Sequence, residues 1–170
     1  MSWEAWIIFA SFWALFVTTP GPNAINCISV SMAYGFRSSL ICVAAILTKA
    51  SLFLTLSAFG ITVLIATSPV AFVLLKWIGA GFLIYLGIRG WRNASHSLQA
   101  DVPEQSQLYT RALMVATINP KSVAGYLAAF SQFIQPDLAV TSQMWVIAPT
   151  ALSLTTLSYI GYCAVGASLG

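Results

Sequence analysis

Charge is the scarcest property of this sequence. Seven Lys and Arg and four Asp and Glu make up 6% of 170 residues, against roughly a quarter in an ordinary soluble domain. A soluble fold is excluded on that ground. The four acids are also poorly placed for work at membrane depth. Glu4 and Asp137 flank apolar stretches, and Asp101 and Glu104 fall in a polar segment. A proton relay through an intramembrane carboxylate, common in antiporters, is therefore unavailable. If protons are coupled, a lysine must titrate or the substrate must carry the proton.

Histidine is almost absent too. His96 is the single one and it sits in the polar segment, so it can found neither a metal site nor a catalytic dyad. Cys27, Cys42 and Cys163 stand apart without a CxxC pair, which excludes a redox couple or zinc site and leaves them as small hydrophobes. The net charge of +3 is scattered rather than gathered into a run, so no nucleic-acid partner is indicated. These absences describe a non-enzyme without cofactor or metal, and they argue against a metal ion as cargo.

What the chain has is apolar length. Crossing a hydrocarbon core of about 30 Å takes about 20 apolar residues in a helix. Five stretches qualify, from Ala5 to Ala33, Leu40 to Ala66, Pro69 to Ile88, Ala112 to Ile134 and Met144 to Val165. The expected fold is an all-α integral membrane protein of five transmembrane helices, with the lipid bilayer as its first partner. The N-terminus has no basic n-region and no cleavage site after its apolar run, so the first segment is expected to stay.

Positively charged loops stay in the cytoplasm. Arg37 follows the first span, and Arg89, Arg92 and Arg111 border the 89–111 segment, whereas the alternate loops carry no Lys or Arg. The N-terminus is therefore expected in the periplasm, with the long loop inside. Trp3, Trp6, Trp91 and Trp145 fall near span ends, as interfacial indoles should.

The first span is broken. Twelve helical residues from Trp6 to Val17 rise only about 18 Å before Thr18-Thr19-Pro20-Gly21-Pro22-Asn23 interrupts them. Two prolines remove backbone donors and free the carbonyls of the preceding turn. Open backbone at that depth is tolerated only where it is buried in protein or lines a cavity. The fourth span repeats the device at Asn119-Pro120-Lys121-Ser122. The two breaks begin three-helix units of opposite orientation, an inverted repeat whose last helix is missing. The divisions are 1–88 for the first repeat, 89–111 for the cytoplasmic loop and 112–170 for the incomplete second repeat.

A binding site is expected where the breaks meet. Half-helix N-termini near Pro22 and Ser122 offer free N–H groups and a positive dipole end to a carboxylate. The plain alternative is a pair of proline kinks that touch no ligand. Candidate substrate and translocation residues are Pro20, Gly21, Pro22, Asn23, Asn26, Lys49, Asn119, Pro120 and Lys121. Lys49 lies about 13 Å into its span at 1.5 Å per residue, where a lysine costs roughly 2.5 to 3.5 kcal/mol. It is either a counter-charge for a substrate carboxylate, a titrating group, or a lysine bonded to open carbonyls of the broken helices. Lys121 is a substrate-path lysine or one that neutralises carbonyl ends. Lys76 can snorkel, and Gly79, Leu83, Gly87 and Gly90 form a close-packing seam.

Thr19-Pro20-Gly21-Pro22-Asn23, Leu75-Lys76-Trp77-Ile78-Gly79-Ala80-Gly81 with Tyr85-Leu86-Gly87, and Asn119-Pro120-Lys121 with Gln132-Phe133 together resemble the lysine exporter and homoserine/threonine resistance transporter family. Within it, Trp91-Arg92, Asn119 to Ser122 and Phe130 to Ile134 look closest to the homoserine and homoserine-lactone exporters. The resemblance implies proton-driven efflux of small neutral amino acids across the bacterial inner membrane. Members usually carry six hydrophobic segments, and this chain has five. Either it is a truncated, non-transporting relative, or it compensates as a homo-oligomer. Where many relatives carry helix-two glycines this chain has Ser39, Ala45 and Lys49, and the acid many carry on helix five upstream of Tyr162 is missing.

Overall fold

In the computed structural model the described residues are 1–92 and 104–170. His96, Asp101 and the middle of the 89–111 loop, residues 93–103, lie outside them, as do the side-chain surroundings of Lys76 and of the Gly79, Leu83, Gly87 and Gly90 seam. The described chain is helical, in the order α1 (Trp3–Thr18), α2 (Pro22–Thr67), α3 (Pro69–Arg92), a short 3-10 turn (Gln105–Gln107), α4 (Leu108–Ile118), α5 (Pro120–Phe133) and α6 (Val140–Leu169).

Helix α2 is two arms. Gly35 interrupts it at φ 79° and ψ 168°, a left-handed conformation that costs a residue without Cβ nothing. Cys27 and Val30 before it share one core with Cys42, Val43, Ala45 and Ile46 after it, so the chain doubles back at the glycine. Both breaks expected from the prolines are present. Helix α1 stops at Thr18 and α2 starts at Pro22; α4 stops at Ile118 and α5 starts at Pro120, with Asn119 extended between them.

The elements pack around two apolar cores. One gathers Phe9, Trp13 and Val17 of α1 with Tyr126, Ala129 and Phe130 of α5, together with Leu54, Phe72, Ile147 and Ala151. The other gathers Cys27, Val30 and the Cys42 to Ile46 stretch with Leu108, Ala112 and Ala116 of α4 and with Cys163. Thus α5 lies along α1 while α4 lies along α2, and the two broken helices pass each other in opposite directions. Cys27, Cys42 and Cys163 are free thiols within the second core; Cys163 Sγ donates to the Ser39 carbonyl at 3.7 Å.

Helix α6 braces both halves. Trp13 is fully buried and its indole N–H points at Ala151 O (3.0 Å) and Thr155 Oγ1 (3.1 Å). Trp6 donates to Thr150 Oγ1, and Ser31 Oγ donates to Cys163 O at 2.6 Å. The entry into α6 is clamped by buried Gln143, whose amide accepts from Gln135 N and donates to Gln135 O and Leu138 O at 2.9, 2.9 and 3.1 Å. Changing Gln143 to leucine removes all three bonds and leaves Gln135 N and Leu138 O without that partner, while Gln135 O keeps only Leu138 N at 3.3 Å. At about 0.5–1.5 kcal/mol for each hydrogen bond, a loss of about 2–3 kcal/mol is expected in detergent unfolding. An unchanged midpoint would show the clamp to be dispensable.

Outward-facing positions are as apolar as the cores. Leu15, Phe59, Val70, Trp77, Leu157 and Trp145 are each more than two-thirds exposed. By length and composition, Pro22–Gly60 and Val140–Leu169 are candidate spans, with mean hydropathies of 2.0 and 1.3. An apolar exterior around apolar helices is stable in lipid, where only structures that satisfy their own backbone persist.

Candidate functional site

Between the two cores lies a polar layer. Asn23, Asn26, Lys49 and Asn119 are all buried there, at the level where both broken helices open their backbone. A cleft of about 280 Å³, counting its open mouth, is lined by Phe16, Val17, Thr19, Gly21, Asn23, Asn119, Lys121, Ser122 and Tyr159.

The wall is built from helix ends. Thr19 N still reaches Leu15 O at 3.1 Å, but the carbonyls beyond it have no intrahelical donors. Side chains from elsewhere supply them. Ser158 Oγ donates to Val17 O (3.1 Å), Tyr162 OH to Thr18 O (2.5 Å) and Lys121 Nζ to Thr19 O (2.6 Å). On the other side of the break, Ile25 N bonds Gly21 O and Pro22 has no N–H, so helix geometry leaves the Asn23 and Ala24 amides facing the gap. In α5 the Asn119 side chain caps Lys121 N at 3.1 Å, and Pro120 fills the first helical position, where a missing donor costs least.

Removing the Tyr162 hydroxyl as Tyr162→Phe uncovers the Thr18 carbonyl. The expected loss is about 1 kcal/mol of stability, with a larger effect in Ser158→Ala plus Tyr162→Phe, read as detergent melting temperature. Additive losses would mean that the two bonds hold independent parts of the break.

Among the described residues, neither an acid nor a helix-end carbonyl bonds Lys49. It is 2% exposed; its Nζ bonds Ser122 Oγ at 2.5 Å and lies over the rings of Phe53 and Tyr126, 4.0 and 4.3 Å from their centroids. Two aromatic faces offset part of the cost of burying the charge. Ser122 carries Lys49 to the cleft, since its residue lines it while that of Lys49 lies one layer behind. Gly125 has the Phe16 ring so close that a Cβ would stand 1.9 Å from Cζ, which holds that ring against the cleft.

The sequence-derived candidates thus divide. Gly21, Asn23, Asn119 and Lys121 line the cleft; Lys49 reaches it through Ser122. Asn26 is buried outside the lining. Pro20 and Pro22 act through the backbone they interrupt, as does Pro120, whose side chain is not described. Of the lysine readings, Lys121 does neutralise a carbonyl end and also lines the cleft. Tyr159, Phe16, Ser158, Phe53 and Tyr126 belong to this region without any local motif to announce them, for they stand in ordinary apolar helix sequence. Among the described residues no group of His, Cys, Asp or Glu could hold a metal ion.

The break motifs and the cleft they form coincide with a match between residues 14–170 and the family model described as LysE type translocator. The chain belongs to the LysE type translocator family. It is a membrane protein of a transporter family. It is 33% identical to a protein of Vibrio cholerae named as an uncharacterized membrane protein, covering 100% of this chain and 84% of that one. It is 32% identical to the homoserine/homoserine lactone efflux proteins of Salmonella typhi and Salmonella typhimurium, covering 95% of this chain and 80% of each. No solved structure matches it.

Proposed function

We propose that this LysE-family chain exports small neutral amino acids or their derivatives, of the homoserine, homoserine lactone and threonine type, across the bacterial inner membrane, driven by the proton gradient. The observation that carries the reading is the meeting of two helix breaks at one polar cleft between two apolar cores. The names of the Salmonella relatives support the cargo class. The cleft supplies what a zwitterion needs. The Asn23 and Ala24 amides and the Lys121 ammonium suit its carboxylate, and the buried Asn23 Oδ1, which has no partner, suits its ammonium group.

The proposed arrangement is an inverted repeat, with 1–88 as the first unit, 112–170 as a shorter second unit and 89–111 as the cytoplasmic connection. Five spans would place the N-terminus in the periplasm. The opposite courses of α1–α2 and α4–α5 support it, because inverted repeats put their broken helices side by side with opposite sense. Alternating access would then rock one unit on the other about the cleft.

The test is uptake of labelled homoserine and threonine into everted membrane vesicles, with and without a proton gradient. Gradient-dependent accumulation is expected. It should fall in Pro20→Ala, which restores one backbone donor at the first break, and in Asn119→Ala, which removes a helix cap worth about 1 kcal/mol at the second. Parent-level flux in both variants would sink the reading.

A further inference from the structure

The three open carbonyls at the end of α1 are not satisfied alike. Val17 O and Thr18 O receive neutral hydroxyls from α6, whereas Thr19 O receives the full positive charge of Lys121. A hydroxyl would have satisfied the carbonyl without bringing a charge to membrane depth. The charge therefore calls for its own account.

Its surroundings are those of a bound monovalent cation. The C-terminal end of a half-helix carries negative partial charge, and unwound carbonyls at such ends are where broken-helix transporters hold alkali-metal ions. The Phe16 ring lies 5.1 Å from Nζ and adds a face that favours a cation. The lysine stem runs alongside Gly21, where an added Cβ would stand in ordinary contact, 3.7 Å from Lys121 Cδ. Among the described residues the lining of the cleft includes neither Asp nor Glu, so none of them gives the ammonium a fixed counter-anion there. An ammonium has three donors, and the structure commits one of them to Thr19 O.

We propose that the Lys121 ammonium is a tethered stand-in for a free monovalent cation. It bridges the open Thr19 carbonyl and the carboxylate of the cargo, so the chain needs no sodium or potassium ion at this position. The carboxylate half rests on the exporter reading; the cation half does not.

The experiment is thermal melting of the purified chain in detergent with sodium, potassium, methylammonium or choline chloride at equal ionic strength. The parent is expected to melt at one temperature in all four salts. Lys121→Ala should melt lower by about 5 °C in choline and regain at least half of that in sodium or methylammonium, which fit the vacated place. If the alanine chain does not accumulate, Lys121→Gln, which keeps a donor for Thr19 but no charge, should show the same salt-specific recovery. Absence of such recovery in whichever neutral variant folds, or a sodium-specific shift in the parent, would overturn the proposal.

Homoserine uptake by the parent with choline replacing sodium separates the two readings. Equal uptake supports both. Uptake only in sodium overturns the tethered cation and leaves the exporter standing. No uptake in any salt removes the exporter, while the melting series still decides the cation.

Discussion

Replacing Lys49 with methionine will leave a chain that inserts at least as well as the parent but exports about 10–150-fold more slowly. The first half follows from the cost of placing a lysine at membrane depth, roughly 2.5 to 3.5 kcal/mol on insertion scales, which methionine avoids while keeping similar length. The second follows from the contacts. Lys49 Nζ holds Ser122 Oγ at 2.5 Å, and Ser122 lines the cleft at the start of α5. A hydrogen bond to a charged group contributes about 1.5–3 kcal/mol, which converts to that range of rate when the whole loss falls on the step in which Ser122 is held in place for the cargo. Everted-vesicle uptake normalised to inserted protein measures it. A Lys49→Met chain that exports at the parent rate would reduce Lys49 to a packing element between Phe53 and Tyr126.

Gly166→Ala is expected to disrupt assembly rather than transport chemistry. A Cβ at Gly166 would meet Ile28 O at 2.6 Å, Ser31 Cβ at 2.8 Å and Ile28 Cα at 2.9 Å. Two of these are backbone atoms that cannot swing aside, so α6 must move away from α2. Overpacking of this kind costs about 1–3 kcal/mol, and here it pulls on the Ser31 to Cys163 bond and on the α6 residues Ser158 and Tyr162 that close the α1 end. The melting temperature in detergent should fall, and export should fall with it. A small-residue seam is the usual way membrane helices approach closely, since lipid offers no hydrophobic drive to press them together. Normal melting of Gly166→Ala would show that the helices can separate there without loss.

Much of this molecule was legible before any coordinates. Scarce charge and long apolar stretches determined a helical membrane protein, because backbone in lipid must bond to itself. The Pro20-Gly21-Pro22 and Asn119-Pro120 sequences determined where the helices break, because proline withholds a donor whatever surrounds it. Lys49 stood out because a charge in an apolar run needs a partner. All three are local facts: each depends on a few neighbouring residues and the solvent they meet.

Tertiary structure alone decided who the partners are. That Lys121 spans from one break to the other, that Lys49 rests on Ser122 and under Tyr126, and that Ser158 and Tyr162 close the end of α1 are contacts between residues 73 to 144 positions apart. Nothing in Ser158, Tyr159 or Tyr162 marks them within a helix of similar small and apolar residues. They become functional candidates only through the hand and register in which α6 lies along α1 and α2. That register is set by where backbone can approach backbone, as at Gly166, and such close packing depends on the surfaces of two helices at once.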